Sequence, residues 1–214
     1  MEIKKKVQGV NLIKFLLVFF RIIFFISVLA TILGIIIKGI SLSTNSGPMK
    51  TVLPVLFSIA KDSSLLDLGG DGISNLKVTW GLGFVSASAL PKSFDLLFFL
   101  TKLLSFSCGL LFLRLIISIL ETVEFGDFLI SRNAIRLRWI SVLGLVYVFL
   151  YSIELAISHI YLKEMVDLPG FNIINVIYYT YISSGWIFIC LFILVLAEVF
   201  KVGALLKEES ELTI

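Results

Sequence analysis

Five ionisable residues interrupt the long apolar stretches of this 214-residue chain, and their chemistry needs explaining first. Arg21, Arg114 and Glu198 lie toward one end of those stretches, whereas Lys102 and Glu154 lie toward the other. A charge in hydrocarbon costs about 3 kcal/mol or more, so such residues pair, take up a proton or mark an ion pathway. The sequence therefore predicts a Lys102–Glu154 ion pair. It also predicts a second charge cluster, if the helices bring the other three residues together.

Two uses of these charges remain open, namely locking the register of the helices and relaying a proton or ion. A relay would need further polar steps across the middle of the membrane. The apolar stretches offer only small hydroxyl and thiol side chains there, which are Ser105, Ser107, Cys108, Ser183 and Ser184. We therefore favour the structural role.

The sequence matches none of the other patterns that are typical of catalytic or ligand-binding sites. His159 has no second histidine or paired cysteine near it, so metal binding is not expected. The glycine-rich cluster at 69–72 has the spacing of neither a phosphate-binding loop nor a calcium loop, and it predicts a turn. Because no catalytic triad, zincin motif or P-loop is present either, the sequence predicts a protein that is not an enzyme and needs no cofactor.

The elements that must position the charged residues are long apolar helices. The chain is 58% hydrophobic with a mean hydropathy of +1.06, well above the values of a soluble domain. About 20 residues rising ~1.5 Å each cross a hydrocarbon core of ~30 Å, so we predict spans at about 14–38, 94–120, 139–162 and 173–200. The predicted fold class is an all-α membrane protein, a bundle of four transmembrane helices solvated by the lipid bilayer.

The connection at 39–93 differs in character from the rest of the chain. Large apolar residues alternate with lysine, threonine and glycine from Leu76 to Phe84, a period of two that predicts a half-buried strand. Thr51 to Ala60 could be its partner, and Pro54 would confine that partner to an edge. We therefore predict a small extracytoplasmic β element between helices 1 and 2.

The distribution of basic residues predicts the orientation of the chain. Lysine and arginine number eleven on the side of both termini and seven on the other side, and basic residues mark the cytoplasm. This places both termini, the connection at 121–138 and the tail at 201–214 in the cytoplasm. The basic residues are scattered, so direct binding of nucleic acid is not expected.

Two groups of residues at this predicted cytoplasmic face resemble a known bacterial family, domain of unknown function 2975. The first is Gly126-Asp127-Phe128 with Asn133 and Arg136-Leu137-Arg138, where the family tends to carry a proline between the aspartate and the phenylalanine. The second is Leu196-Ala197-Glu198-Val199-Phe200, with Gly203-Ala204, Glu208-Glu209 and the closing Glu211-Leu212-Thr213-Ile214. The resemblance implies a four-helix protein of the bacterial plasma membrane, often encoded beside a small helix-turn-helix regulator, and it supplies no catalytic residues.

These observations favour a membrane-anchored regulatory or sensory protein whose cytoplasmic face binds a soluble DNA-binding regulator. The candidate face consists of Phe128, Asn133, Arg136, Arg138, Glu208, Glu209 and Leu212. One alternative is a small-solute or ion transporter, which would predict helices broken in mid-span, yet all four prolines lie outside the predicted spans. Another is an immunity protein against a membrane-active toxin. A homodimer is also compatible with the small residues along the first span, such as Ala30 and Gly34.

Overall fold

Four long helices account for most of the chain. The computed structural model describes residues 2–44, 51–59, 81–87, 91–165, 171–173 and 177–212. The helices are α1 (Glu2–Thr44), α2 (Lys92–Glu124), α3 (Ser131–Met165) and α4 (Ile177–Leu212). Each contains a stretch long and apolar enough to cross a membrane. The predicted fold, four membrane-length helices with a small sheet that includes strands between the first two, is therefore confirmed.

The helices pack in chain order. Within the described residues, extensive helix–helix contacts join α1 to α2, α2 to α3 and α3 to α4. We call the end of the helices that holds the β-strands the sheet end, and the end that holds the α2–α3 connection at 125–130 the loop end. Helices α1 and α4 lie at the two margins of this row and expose large apolar side chains such as Phe25 and Phe188. Apolar surfaces of this kind suit contact with lipid tails, which form no hydrogen bonds with side chains.

Small residues at seven-residue spacing form the seam between α3 and α4. Cys190, Ala197 and Ala204 of α4 are all buried. Seven residues are close to two helical turns, so the three side chains share one face of the helix. Opposite them, the Ser141 hydroxyl donates a hydrogen bond to the Cys190 carbonyl at 2.6 Å. Small side chains let the two backbones approach closely, which is how helices gain packing energy in lipid.

The closest point of this seam predicts a specific steric effect. A Cβ atom added at Gly144 would lie 2.6 Å from Cys190 Sγ. We therefore expect Gly144→Ala to lower the free energy of unfolding by about 1–2 kcal/mol, measured by thermal unfolding in detergent. Adding Cys190→Ala removes the clashing sulfur, so the double variant should regain most of the loss.

A matched glycine provides the control for this prediction. A Cβ atom added at Gly109 of α2 would meet no neighbouring side chain or strand within 4 Å, so Gly109→Ala should leave stability unchanged or slightly raised. Equal stability of the Gly144→Ala and Gly109→Ala variants would show that the seam is looser than described.

Within the described residues, the sheet has three antiparallel strands, β1 (Thr51–Ile59), β2 (Gly81–Ala87) and β3 (Phe171–Ile173), in the order β2-β1-β3. The prediction that the segment beginning at Thr51 forms an edge strand was wrong, because β1 is central. The prediction rested on the missing N–H of Pro54, which cannot donate a hydrogen bond to a neighbouring strand. Pro54 pairs with Phe84 of β2. Among the described residues, β3 pairs with residues 57–59 of β1, so none of its described residues lies opposite Pro54.

Strand β2 alternates as predicted, but with the opposite face buried. Residues 76–80 of the predicted strand lie outside the described residues. Leu82 and Phe84 are 45% and 70% exposed, whereas Gly81 and Gly83 lie against the ring of Phe57. A Cβ at Gly83 would come within 2.8 Å of that ring, so the glycines are the residues that fit the covered face.

The inner face of the sheet is anchored to the helices by one apolar cluster. Leu53 and Val55 of β1 pack with Phe98 of α2 and Leu162 of α3, and all four side chains are almost fully buried. This cluster holds the sheet against the ends of α2 and α3, next to the charged residues described below.

Candidate functional site

An ion pair with a buried carboxylate joins α2 to α3 near the sheet end. Glu154 is 1% exposed, and its Oε2 atom lies 2.5 Å from Lys102 Nζ. Its other oxygen, Oε1, accepts a hydrogen bond from the Ser105 hydroxyl at 2.8 Å. Lys102 and Ser105 are three residues apart, so they project from the same face of α2. The ion pair predicted from the depth of these residues is thus formed, and both carboxylate oxygens have a partner.

A second ion pair joins α1 to α2 closer to the sheet. Lys38 of α1, whose side chain is 9% exposed, pairs with Asp95 of α2. Asp95 also accepts a hydrogen bond from the Thr51 hydroxyl of β1 at 3.1 Å. This pair was not predicted from the sequence. The signal was available, since Lys38 ends the first predicted span and Asp95 begins the second at the same side of the membrane.

Lys38 and Asp95, together with Lys102 of the first pair, line a cavity of about 310 Å³ between α1, α2 and β1. Phe98 and Phe99 also line it, and the Lys102 and Lys38 ammonium groups lie 5.4 Å and 5.8 Å from the centres of those rings. Among the described residues, its charged lining consists of these two ammonium groups and the Asp95 carboxylate. This chemistry suits recognition of a small polar group.

The charged residues are divided between the two ends of the helices. No charged residue lies between Arg138 and Glu154 of α3, a separation of about 24 Å at ~1.5 Å per residue. On α2 the uncharged interval runs from Lys102 to Arg114. A proton relay needs closely spaced polar groups, so this arrangement favours ion pairs that fix the packing of the helices.

At the loop end, the predicted cluster of Arg21, Arg114 and Glu198 is not formed. Arg21 Nη2 lies 2.8 Å from Glu121 Oε1 of α2, and Glu198 Oε1 lies 2.5 Å from Arg138 Nη2 of α3. The reason is the order of the helices, because α1 and α4 occupy opposite margins of the row. Arg114 is exposed and has no ion-pair or hydrogen-bond partner among the described residues.

The α2–α3 connection is a compact turn stabilised by the backbone. Gly126 has a φ of 88°, its N–H donates to the Val123 carbonyl at 3.0 Å, and the Asp127 N–H donates to the Thr122 carbonyl at 3.1 Å. These two bonds are those of a Schellman cap, which requires a left-handed residue that glycine adopts without strain.

Asn133 braces this turn from the inside. It is 0% exposed, and its Nδ2 donates to Thr122 Oγ1 at 2.8 Å and to the Phe128 carbonyl at 3.1 Å. Its Oδ1 accepts from Arg136 Nη1 at 2.8 Å, and the same nitrogen donates to the Ser118 carbonyl at 2.8 Å. One side chain thereby links the end of α2, the turn and the start of α3.

The last turns of α4 lie against this connection. Lys207 Nζ lies 3.5 Å from Asp127 Oδ1, and the Ser131 hydroxyl donates to Glu208 Oε1 at 3.3 Å. A Cβ at Gly203 would lie 3.2 Å from Leu129, so the backbone of α4 passes close to the loop. The loop and the helix tail therefore form one surface.

The residues predicted to form the interaction face occupy two different positions on this surface. Phe128 is 51% exposed and Leu212 is 87% exposed, and Glu208 and Glu209 are exposed as well. Asn133 is buried, and Arg136 and Arg138 are partly buried. The buried and partly buried residues therefore support the surface from below. The four exposed residues are accessible to a partner.

The predicted lack of a metal site stays a prediction. Within the described ranges, no group of three or more histidine, cysteine, aspartate or glutamate side chains could hold a metal ion. His159 Nδ1 is buried without a hydrogen-bond partner in the same part of the chain.

Four apolar helices of membrane length in the described part of the chain, with charged side chains paired near both ends, indicate a multi-pass helical membrane protein. Residues 72–214, more than half of the chain, match the family model described as Protein of unknown function (DUF2975). The chain belongs to that family. No curated protein and no solved structure matches it.

The motif residues that carried the family resemblance have structural roles. Gly126 makes the turn and Asn133 braces it. Ala197 and Ala204 form the seam with α3, and Glu198 pairs with Arg138. These motifs therefore preserve the geometry of the loop end.

Proposed function

We propose that this protein is a non-enzymatic, membrane-anchored regulatory or sensory protein whose loop end binds a small soluble partner. The observation that carries the proposal is a set of apolar side chains left exposed at that end. Phe125 is 83% exposed, Phe128 51%, Leu206 61% and Leu212 87%. They lie beside charged residues that suit water or headgroups, so we do not expect lipid tails to bury these apolar side chains.

The scaffold beneath these side chains is already ordered. The Schellman cap and the hydrogen bonds of Asn133 order the loop, and exposed contacts from Asp127 and Ser131 join it to the α4 tail. A preformed surface loses little conformational freedom on binding, which favours affinity.

The charge of the tail favours a basic partner. Glu208, Glu209 and Glu211 follow one another along the exposed end of α4. Small DNA-binding proteins carry basic surfaces, and complementary charge speeds their encounter with an acidic partner. This agrees with the helix-turn-helix regulator that the family resemblance implies.

A sensory role would use the cavity at the sheet end. A small polar molecule bound between Lys38, Lys102 and the two phenylalanines would contact α1, α2 and β1 together. Because α3 connects that region to the loop-end surface through Glu154 at one end and Asn133 at the other, a shift of α3 would reach the partner-binding surface. On this proposal the loop end faces the cytoplasm of a bacterial cell, as the excess of basic residues favours.

Co-purification from native cells in mild detergent tests the proposal. Deleting Lys207 to Ile214 should abolish recovery of one soluble DNA-binding protein. The point variant Leu212→Glu should reduce recovery about tenfold, because truncating a central apolar contact costs more than ~1 kcal/mol and the added charge adds desolvation. Phe84→Ser, at a position on the sheet that is 70% exposed, is the control and should leave recovery unchanged. Unchanged recovery after the deletion would remove the regulatory proposal.

A further inference from the structure

The loop end also carries positive charge that the protein itself does not neutralise. Arg114 on α2 and Arg132 on α3 are exposed, and neither has an ion-pair or hydrogen-bond partner among the described residues. Arg136 of α3 bonds to the Ser118 carbonyl of α2, one helical turn from Arg114, and Arg132 lies one turn from Arg136 on α3. We infer that Arg114, Arg132 and Arg136 form a binding site for the phosphate of an anionic phospholipid, drawn from the leaflet at the loop end.

Helix geometry places the three arginine residues in a row. Arg136 Nη1 bonds to the Ser118 carbonyl, and Arg114 lies one turn away from Ser118 on the same face of α2. Arg132 lies one turn from Arg136 on α3, in the opposite direction. At about 5.4 Å per turn, the row runs from the apolar part of α2 toward water.

Arg136 is the preorganised member of the site. Its Nη1 atom is held by the Ser118 carbonyl and by Asn133 Oδ1, both at 2.8 Å. A guanidinium has five N–H donors, so those on Nε and Nη2 are free of partners within the described residues. Arginine recognises phosphate through such paired donors.

The nearby carboxylates do not cancel this charge. Glu121 is the acidic residue that acts on Arg136, and it is already paired with Arg21 at 2.8 Å. Glu124, one turn further along α2, makes no ion pair within the described residues. Four arginines therefore face two glutamates here, which leaves a positive surplus.

The depth of Arg114 identifies the source of the phosphate. Apolar residues flank Arg114 on both sides within the membrane-length stretch of α2. An exposed, unpaired arginine at that depth is stabilised by an anion that can reach it within the bilayer. A phospholipid headgroup does so, and basic clusters between helices on this side of a membrane are typical anionic-lipid sites.

Native mass spectrometry of the full chain tests the site, with detergent micelles that contain phosphatidylcholine and phosphatidylglycerol in equal amounts. The wild-type chain should retain phosphatidylglycerol preferentially. Arg114→Gln should reduce that retention about fivefold, and Arg114→Gln with Arg132→Gln should reduce it more than tenfold, since each arginine that contacts the bound anionic headgroup contributes a comparable factor. Arg114→Lys, which keeps the charge, should keep most of the preference.

Lys201→Gln is the matched control, because Lys201 is also exposed at the loop end and lies outside the cluster. It should change retention by less than about twofold. A second measurement distinguishes a lipid headgroup from free phosphate as the source of the bound anion. Inorganic phosphate, added with phosphatidylcholine as the only lipid, should not raise the midpoint of thermal unfolding. Equal retention by the Arg114→Gln and Lys201→Gln variants would overturn the site. A midpoint raised by inorganic phosphate, with no lipid preference, would overturn the lipid assignment.

Discussion

Lys102→Met is expected to lower the free energy of unfolding by about 3 kcal/mol, because it leaves Glu154 buried without its counter-charge. Glu154 is 1% exposed and would keep only the hydrogen bond from Ser105. Glu154→Gln should cost less, about 1 kcal/mol, because the amide oxygen can still accept from Ser105 and Lys102 is partly exposed. Thermal unfolding in detergent, followed by circular dichroism, provides the measurement.

The double variant Lys102→Met with Glu154→Gln makes this prediction specific to the pair. If the penalty of Lys102→Met comes from an unpaired carboxylate, removing that charge should restore a large part of the stability. Lys163→Met, at an exposed lysine in the last turn of α3, is the control and should have little effect. A Lys102→Met variant as stable as Lys163→Met would mean that the pair does not hold α2 to α3.

Asn133→Ala is expected to cost about 2–3 kcal/mol, the second largest effect of a single substitution proposed for this chain. It would leave the Phe128 carbonyl and the Thr122 hydroxyl without the amide donor, and the Arg136 guanidinium without one acceptor. The turn at 125–130 should then open more often, which faster amide hydrogen exchange and faster limited proteolysis at this turn would reveal.

Ser131→Ala is the control for this effect at the same end of α3. Its hydroxyl makes one exposed 3.3 Å contact with Glu208, so its loss should be small. Protection of the turn in the Asn133→Ala variant equal to that in Ser131→Ala would contradict the bracing role of Asn133.

Depth along the membrane could be predicted from the sequence, whereas the angular position of side chains around each helix could not. Glu154 and Lys102 were matched correctly because their distances from the ends of two consecutive spans agree. Arg21 and Glu198 also agree in depth, but they belong to α1 and α4, which do not pack extensively against each other in the described residues. Partner choice therefore depends on the order of the helices, and hydrophobicity along the chain does not encode that order.

The sheet, too, could be predicted only in part from the sequence. The alternation ending at Phe84 identified β2, and the β-forming residues after Thr51 identified β1. Strand β3 has only three residues, so it carries no periodic signal, and its pairing makes β1 central. The burial of the glycine face of β2 follows from the ring of Phe57, a contact across strands that no local pattern reveals.

The family motif at the loop end was identified from the sequence, whereas its role in stabilising the turn is seen only in the structure. Asn133 was expected on an interaction surface because of its place in the family motif. Its complete burial shows that the motif specifies the turn, and the exposed side chains around it are Phe125, Phe128 and Leu212. If the proposed partner binds at the loop end, variation in those exposed side chains should alter its affinity without disturbing the fold.

The central claim is that the sheet end and the loop end lie on opposite sides of a membrane, with the loop end in the cytoplasm. Single cysteines at Phe84→Cys and Leu212→Cys, in a chain that also carries Cys108→Ala and Cys190→Ala, test it with a membrane-impermeant maleimide. Both positions are well exposed, at 70% and 87%. We expect labelling of the first variant in intact cells, and of the second only after the membrane is permeabilised. Labelling of Leu212→Cys in intact cells, or recovery of the protein without detergent, would contradict the account.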